Sequence, residues 1–327
     1  MTMSPGVAAS LFVLAQAFGG MAPPPTPTPP ANVVPAENGR LISVAAARLP
    51  PGFNTLPDYA AVMEAVNVSA ISYSSDGIGV KGYMAVPKDG EHLPCVIFNR
   101  AGNREFGILS DEDAVRVLGG LARRGYVVVA SQYRGSARGQ GRDEYGGADL
   151  DDVLNLIPLL ESLPRTDARR LGMIGWQRGG MMTYLALTRT DRISAAVVVS
   201  AISDLPEWLE KRPEMGSAMQ AMIPRFDQNR DEALTARSAI RWPEKLAPKT
   251  PILIFAGGGD WAVSPKQPLD MAAALLAIRH PFRLVMLEGS DRDLREHRAE
   301  VDRVTGEWLD RYVRDQKPVP GTPLSKK

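Results

Sequence analysis

The chain has 327 residues, 44% of them hydrophobic and 23% charged, with a formal net charge of +1. That length and balance describe a globular chain of one large α/β domain or two smaller ones, and the interspersed charges argue against a dedicated nucleic-acid surface. A single cysteine excludes an intramolecular disulfide, and three histidines without a cysteine cluster do not make a zinc pattern, so neither a metal nor another cofactor is expected.

Residues 7–18 (VAASLFVLAQAF) form an apolar run the length of a signal-peptide core, too short to span a bilayer. Ala15-Gln16-Ala17 offers an A-x-A cleavage site, although no Lys or Arg precedes the run. Residues 1–22 therefore read as an export signal, which would place the mature chain in the periplasm or outside the cell; the alternative is a cytoplasmic chain with a frayed start. Residues 23–40, centred on PPPTPTPP, read as a polyproline II linker. Residues 41–315 read as the folded domain, and 316–327 as a tail containing Pro and Lys.

Alternating residues at 67–73 and 80–86, separated by Ser74-Ser75-Asp76-Gly77, predict an antiparallel hairpin. Residues 95–99 (CVIFN) are a continuous apolar strand, with Cys95 a small core residue. A helix is expected near 110–124, capped by Ser110 and with Asp111, Glu112 and Asp113 favourable to its dipole. A buried strand follows at 126–130. The Gly-rich loop at 135–147 has G-x-G spacing but no strand running into it, so it is not a dinucleotide fingerprint. An amphipathic helix is expected at 149–163.

Residues 171–187 (LGMIGWQRGGMMTYLAL) read as a strand, one sharp turn and a helix. Gly175, Gly179 and Gly180 remove Cβ atoms where strand and helix must crowd. This is the layout of a nucleophile elbow, G-x-S-x-G, but the apex is Gln177, whose amide cannot form an acyl ester. Strands at 195–199, 252–255 and 284–287 and helices at 265–278 and 294–314 complete the pattern. The fold class is α/β, with about eight strands in a doubly wound, mostly parallel sheet whose first two strands form an antiparallel edge. Residues 203–249 interrupt the alternation. They are helical, broken by Pro213, Pro224 and Pro243, and carry Met215, Met219 and Met222. They read as a cap over the C-terminal edge of the sheet, where such folds bind ligands; the methionines would serve equally as packing.

An elbow of this kind needs an acid and then a histidine later in the chain. Asp260 stands where the acid should, after strand 252–255 and a glycine loop. Beyond strand 284–287 the chain reads LEGSDRDLREH. With ISYSSDGIGVKGY at 71–83, FNRAGNR at 98–104, GRDEYGGADLDDV at 141–153, RSAIRWPEKL at 237–246 and DWAVSP at 260–265, residues 65–315 resemble the catalytic domain of the prolyl oligopeptidase (S9) serine peptidases, which are α/β-hydrolases. Family enzymes often carry a β-propeller ahead of this domain, and the resemblance here is to the stand-alone type.

Aligned on the family's G-x-D-H-G-L-x-E-H through Gly289, Asp291, Leu294 and Glu296, the triad histidine falls on Arg292, and His297 matches a second, non-catalytic histidine. A guanidinium stays protonated and relays nothing near neutral pH. The resemblance places the oxyanion hole at the Arg178 N–H and the loop at 99–103, including Ala101, with Arg100 where family peptidases often present a tyrosine. The expectation is a hydrolytically inactive member that keeps a pocket for a small peptide or ester-like ligand. Arg292 is expected to bridge Asp260 with a bidentate ion pair and to donate to Gln177. The alternatives are an active peptidase- or esterase-like hydrolase using Ser131, Ser136, Ser200 or Ser203, and an exported interaction module.

Overall fold

The computed structural model describes residues 37–53 and 56–320. The export signal and most of the Pro-rich linker lie outside the described residues, as does the end of the tail. Among the described residues nine strands form one sheet: β1 Leu41–Ala46, β2 Val66–Ser75, β3 Ile78–Pro87, β4 Leu93–Asn99, β5 Val127–Ser131, β6 Thr166–Trp176, β7 Ile193–Val199, β8 Ile252–Gly257 and β9 Phe282–Leu287. Their order is β1-β2-β3-β5-β4-β6-β7-β8-β9. The pairs from β1 to β5 on that edge are antiparallel, and those from β5 through β9 are parallel. The sheet has one strand more than expected. β1 escapes periodicity because its side chains beyond Leu41 are all exposed, so it carries no alternating pattern to read.

The β2–β3 hairpin turns on Asp76-Gly77, both at positive φ, with Ser75 opposite Ile78. A two-residue loop of this kind matches the twist of the strands it joins. β4, β5 and β8 are buried at every position, which is why they read as unbroken apolar runs. Successive residues feed opposite layers: Ile97 and Met173 pack under the helix Arg178–Leu187, while Phe98 and Ile174 pack under the helix Arg298–Leu309. Burial pushes the Cys95 thiol up to about 12, so it is an inert core group.

The helical stretch after β4 opens on a capping box. Asp113 N–H donates to Ser110 Oγ at 3.1 Å, and Ser110 N–H donates to the Asp113 carboxylate at 3.1 Å. Between β7 and β8 lie the helices Leu205–Lys211, Gly216–Met222 and Arg230–Thr235. Met219 and Met222 are fully buried in the main core and Met215 packs against it, so these methionines serve packing. This segment touches the loops at the C-terminal ends of two strands. After β5, Arg237 Nε donates to the Tyr145 carbonyl at 2.7 Å and Arg142 to the Ala221 carbonyl at 2.6 Å. After β8, the Arg212 guanidinium lies 5.3 Å from the centre of the Trp261 ring. Among the described residues no helix is long and apolar enough to cross a membrane, and no cluster of three His, Cys, Asp or Glu could hold a metal.

Candidate active site

β6 ends at Trp176 and the next helix starts at Arg178, so the reversal falls on Gln177 alone, at φ 50° and ψ −113°. Such a backbone costs on the order of 1–3 kcal/mol and persists only where its surroundings hold it. Gln177 N–H donates to the Val199 carbonyl at 2.8 Å, and the Gln177 carbonyl accepts from Gly180 N–H at 2.9 Å. A Cβ on Gly179 would overlap the Asn99 carbonyl, and one on Gly175 would overlap the Gly179 carbonyl. The loop after β4 is thereby pressed against the helix N-terminus. Among the described residues neither Ala101 N–H nor Arg178 N–H has a hydrogen-bond partner.

The side chain of Arg178 is the anchor of the turn. It is fully buried and grips Asp143 with two bonds of 2.7 Å, Asp149 with one of 2.6 Å, and the Gly102 carbonyl at 3.1 Å. Its guanidinium lies between the rings of Tyr133 and Tyr145, 4.8 and 4.6 Å from their centres. Burial alone would drive the guanidinium toward its neutral form; Asp143 and Asp149 reverse that and raise its pKa. Burial likewise opposes ionisation of Asp143, yet Arg178 holds its carboxyl below the usual range. Arg100 also lies over Tyr133, 4.9 Å from the ring centre. Its guanidinium donates to the carbonyls of Ala101, Arg104, Phe106 and Gln132 and to Ser136 Oγ, with no carboxylate partner among the described residues, and burial pushes its pKa down to about 10. With those donors engaged, residues 100 and 101 have only backbone to offer an oxyanion.

On the acid side, Asp260 follows β8 and is 6% exposed. Its carboxylate accepts the amides of Ala262 and Val263, both at 2.8 Å. The expected bidentate pair with Arg292 does not form. Arg292 instead places its guanidinium 5.2 Å from the centre of the Trp261 ring and its Nε 3.8 Å from Asp293. That position keeps the cation partly in water, whereas joining Asp260 would desolvate it. Gln177 also turns to Asp293, as a donor: its Nε2 lies 3.4 Å from Asp293 Oδ1. Gln177 and Arg292 therefore meet at Asp293, a carboxylate the sequence did not mark. Trp261, 67% exposed, lies between Arg212 and Arg292.

Burial raises the Asp260 pKa, opposed by the two amides, the Ser200 hydroxyl and the field of Arg292. The Ser200 hydroxyl acts without an aligned hydrogen bond: its oxygen is buried and unpartnered. A raised folded pKa means that the protonated acid is the better-tolerated form, a contribution lost as pH climbs through that pKa. Asp260→Asn is therefore expected to raise Tm at pH 8 and to leave it unchanged at pH 3, with each ~1 kcal/mol of relief worth about 2–4 °C. Thermal melts at the two pH values check this, and a loss of stability at pH 8 would contradict it.

The four serines suggested by the sequence are all buried and none meets a histidine. Ser131 Oγ accepts from Tyr73, Ser136 Oγ from Arg100, and Ser203 Oγ donates to the Gln267 carbonyl. Among the described residues the serine that does meet a histidine is Ser290, with its Oγ 2.6 Å from His297 Nδ1. The opposite ring nitrogen of His297 lies 3.6 Å from Glu288.

The model of the prolyl oligopeptidase family matches residues 116–316, more than half of the chain. The uncharacterised peptidase YtmA of Bacillus subtilis is 26% identical over 200 residues, covering 61% of this chain and 76% of that one. The acylamino-acid-releasing enzyme of Rattus norvegicus is 28% identical over 200 residues, covering 56% of this chain and 26% of that one. Among solved structures, the acylaminoacyl peptidase of Pyrococcus horikoshii superposes with a TM-score of 0.64 at 22% identity, covering 81% of this chain and 44% of that one. The chain thus spans less than half the length of the acylaminoacyl peptidases it resembles. It has their α/β-hydrolase fold, and it belongs to the prolyl oligopeptidase family.

Proposed function

We propose that this chain is a non-hydrolytic member of the family, which keeps the elbow cleft as a binding site for a small peptide or ester-like ligand. The observation that carries this reading is the contact of Gln177 with Asp293, which Arg292 joins. At the apex there is no hydroxyl, at the histidine position no base, and the two substitutes are tied to a third residue. A strained turn presenting a static hydrogen-bonding group can orient a ligand but cannot acylate. The names of the relatives point to acylated amino acids and peptides, and we propose that ligand class here. The test is exposure to a fluorophosphonate probe and to p-nitrophenyl esters and aminoacyl anilides, with Gln177→Ala as reference. Labelling and turnover are expected to equal the reference; either one clearly above it would overturn the reading.

A second reading, hydrolysis through another nucleophile, is favoured by the Ser290–His297–Glu288 contacts. Against it, Ser290 is 1% exposed, so a substrate carbonyl has no approach to its oxygen. Probe labelling that disappeared in Ser290→Ala would establish this second reading in place of the first.

A further inference from the structure

Outside the elbow cleft, the molecule carries a cavity of about 400 Å³ on the opposite layer of the sheet, between the helical stretch after β4 and the helix Arg298–Leu309. Its volume falls within the range of small-molecule sites, about 300–1,000 Å³. The floor is apolar: Phe98 and Ile174 from β4 and β6, Val199 at the end of β7, Trp176, and Val301 from the helix. Apart from Thr305 these walls carry few groups that could read a polar ligand, so they suit a featureless chain.

The rim is the opposite. Arg116, Arg123, Arg124, Arg298 and Arg303 line it, against one acid, Asp302: five positive charges to one negative, a balance of +4 among the lining residues. Most of these guanidiniums have carboxylate partners. Arg116 pairs with Asp113, Arg298 with Asp302 and Arg303 with Glu307, while Asp310 is shared between Arg124 and Arg314. Arg123 is exposed and has no ion-pair partner among the described residues. Arg298 also stacks on Trp176, 5.2 Å from the ring centre, which fixes one guanidinium above the apolar floor.

An apolar floor beneath a rim whose unpaired charge is the Arg123 guanidinium is complementary to an amphiphile with one anionic head. We propose that this cavity binds a medium-chain alkyl carboxylate, with its chain on Phe98, Ile174 and Val301 and its carboxylate among Arg123, Arg298 and Arg303. The planar fork of a guanidinium matches a carboxylate in two parallel bonds. This site is separate from the elbow cleft and does not depend on whether the chain hydrolyses anything. One wall is nevertheless shared: Trp176 directly precedes Gln177, and the Val199 carbonyl holds the Gln177 amide.

The test is calorimetric titration of the full chain with decanoate below its micelle concentration, alongside decanol and decyltrimethylammonium. A Cβ on Gly120, which lines the cavity, meets no atom within 4 Å, so Gly120→Leu can occupy the space while strengthening the helix. Arg123→Glu reverses the unpaired rim charge at an exposed position. Saturable one-to-one binding of decanoate is expected, weakened about tenfold in Gly120→Leu. Arg123→Glu is expected to weaken it about fivefold, and decanol to bind more weakly than decanoate by a similar factor. Melting temperatures of both variants near the parent's would show that these losses are local. The proposal is overturned if decanoate gives no saturable heat, if neither variant weakens it, or if decyltrimethylammonium binds as tightly.

Discussion

Arg178→Met is expected to lower the unfolding free energy at pH 7 by about 3–5 kcal/mol, the usual result of removing one partner from a buried ion cluster. The magnitude follows from what is left behind. Asp143 and Asp149 are both buried, and between them they take three bonds from this one guanidinium. Backbone amides satisfy part of their need: Arg104 and Tyr145 donate to Asp143, and Gly146 and Gly147 to Asp149. None of these neutralises a charge. Arg178→Lys is expected to fall between parent and methionine variant, because an ammonium keeps the charge but not the fork or the stacking. The pH dependence has a definite sign. Asp143 has a lowered folded pKa, so its contribution is present above the ordinary value of 3.8 and is lost as pH falls through the folded value. Urea midpoints of parent and methionine variant should therefore converge in acid. Equal stability at pH 7 would show that the cluster is not holding the turn.

Gln177→Ser combined with Arg292→His is expected to react with a fluorophosphonate probe about 10²–10⁴ times faster than Gln177→Ser alone, the usual worth of a positioned general base. The backbone that such a serine needs is already present, at φ 50° over a helix N-terminus with unpartnered amides at residues 101 and 178. Asp260 lies close enough for Arg292 to act on it through its field. The substitution at 292 also releases Trp261 from one of its two guanidiniums. If the double variant is no faster than the single one, residue 292 is not presented to the elbow, and the loop itself has been rebuilt rather than only its side chain.

The elbow was legible because its requirement is local. Glycines at 175 and 179 answer a backbone crowding that a five-residue pattern displays in full. The central strands were legible for a similar reason, since burial on both faces leaves an unbroken apolar run. β1 was not visible, because beyond Leu41 it is exposed and is recognised only by its pairing with β2, and the helix Pro57–Ala65 was not visible because it buries only Val62. The Arg178 cluster was hidden by distance along the chain: its acids lie 35 and 29 residues upstream. One signal existed, a charged residue directly after the apex in a helix otherwise made of Gly, Met, Thr, Tyr, Leu and Ala. The Arg292–Asp260 bridge was a reasonable pairing of opposite charges, but the sequence could not show that Trp261 would offer the cation a less dehydrating place.

The clamp acts on residue 178, one position past the apex, and it leaves residue 177 almost without folding duties beyond its backbone. Its consequence is evolutionary. A chain whose turn is secured in this way can exchange the apex side chain freely, because neither serine nor glutamine is what keeps the loop closed. An apex without a hydroxyl is therefore compatible with an intact scaffold around it. The same arrangement predicts that a library randomised at 177 would return mostly folded proteins, while one randomised at 178 would return few.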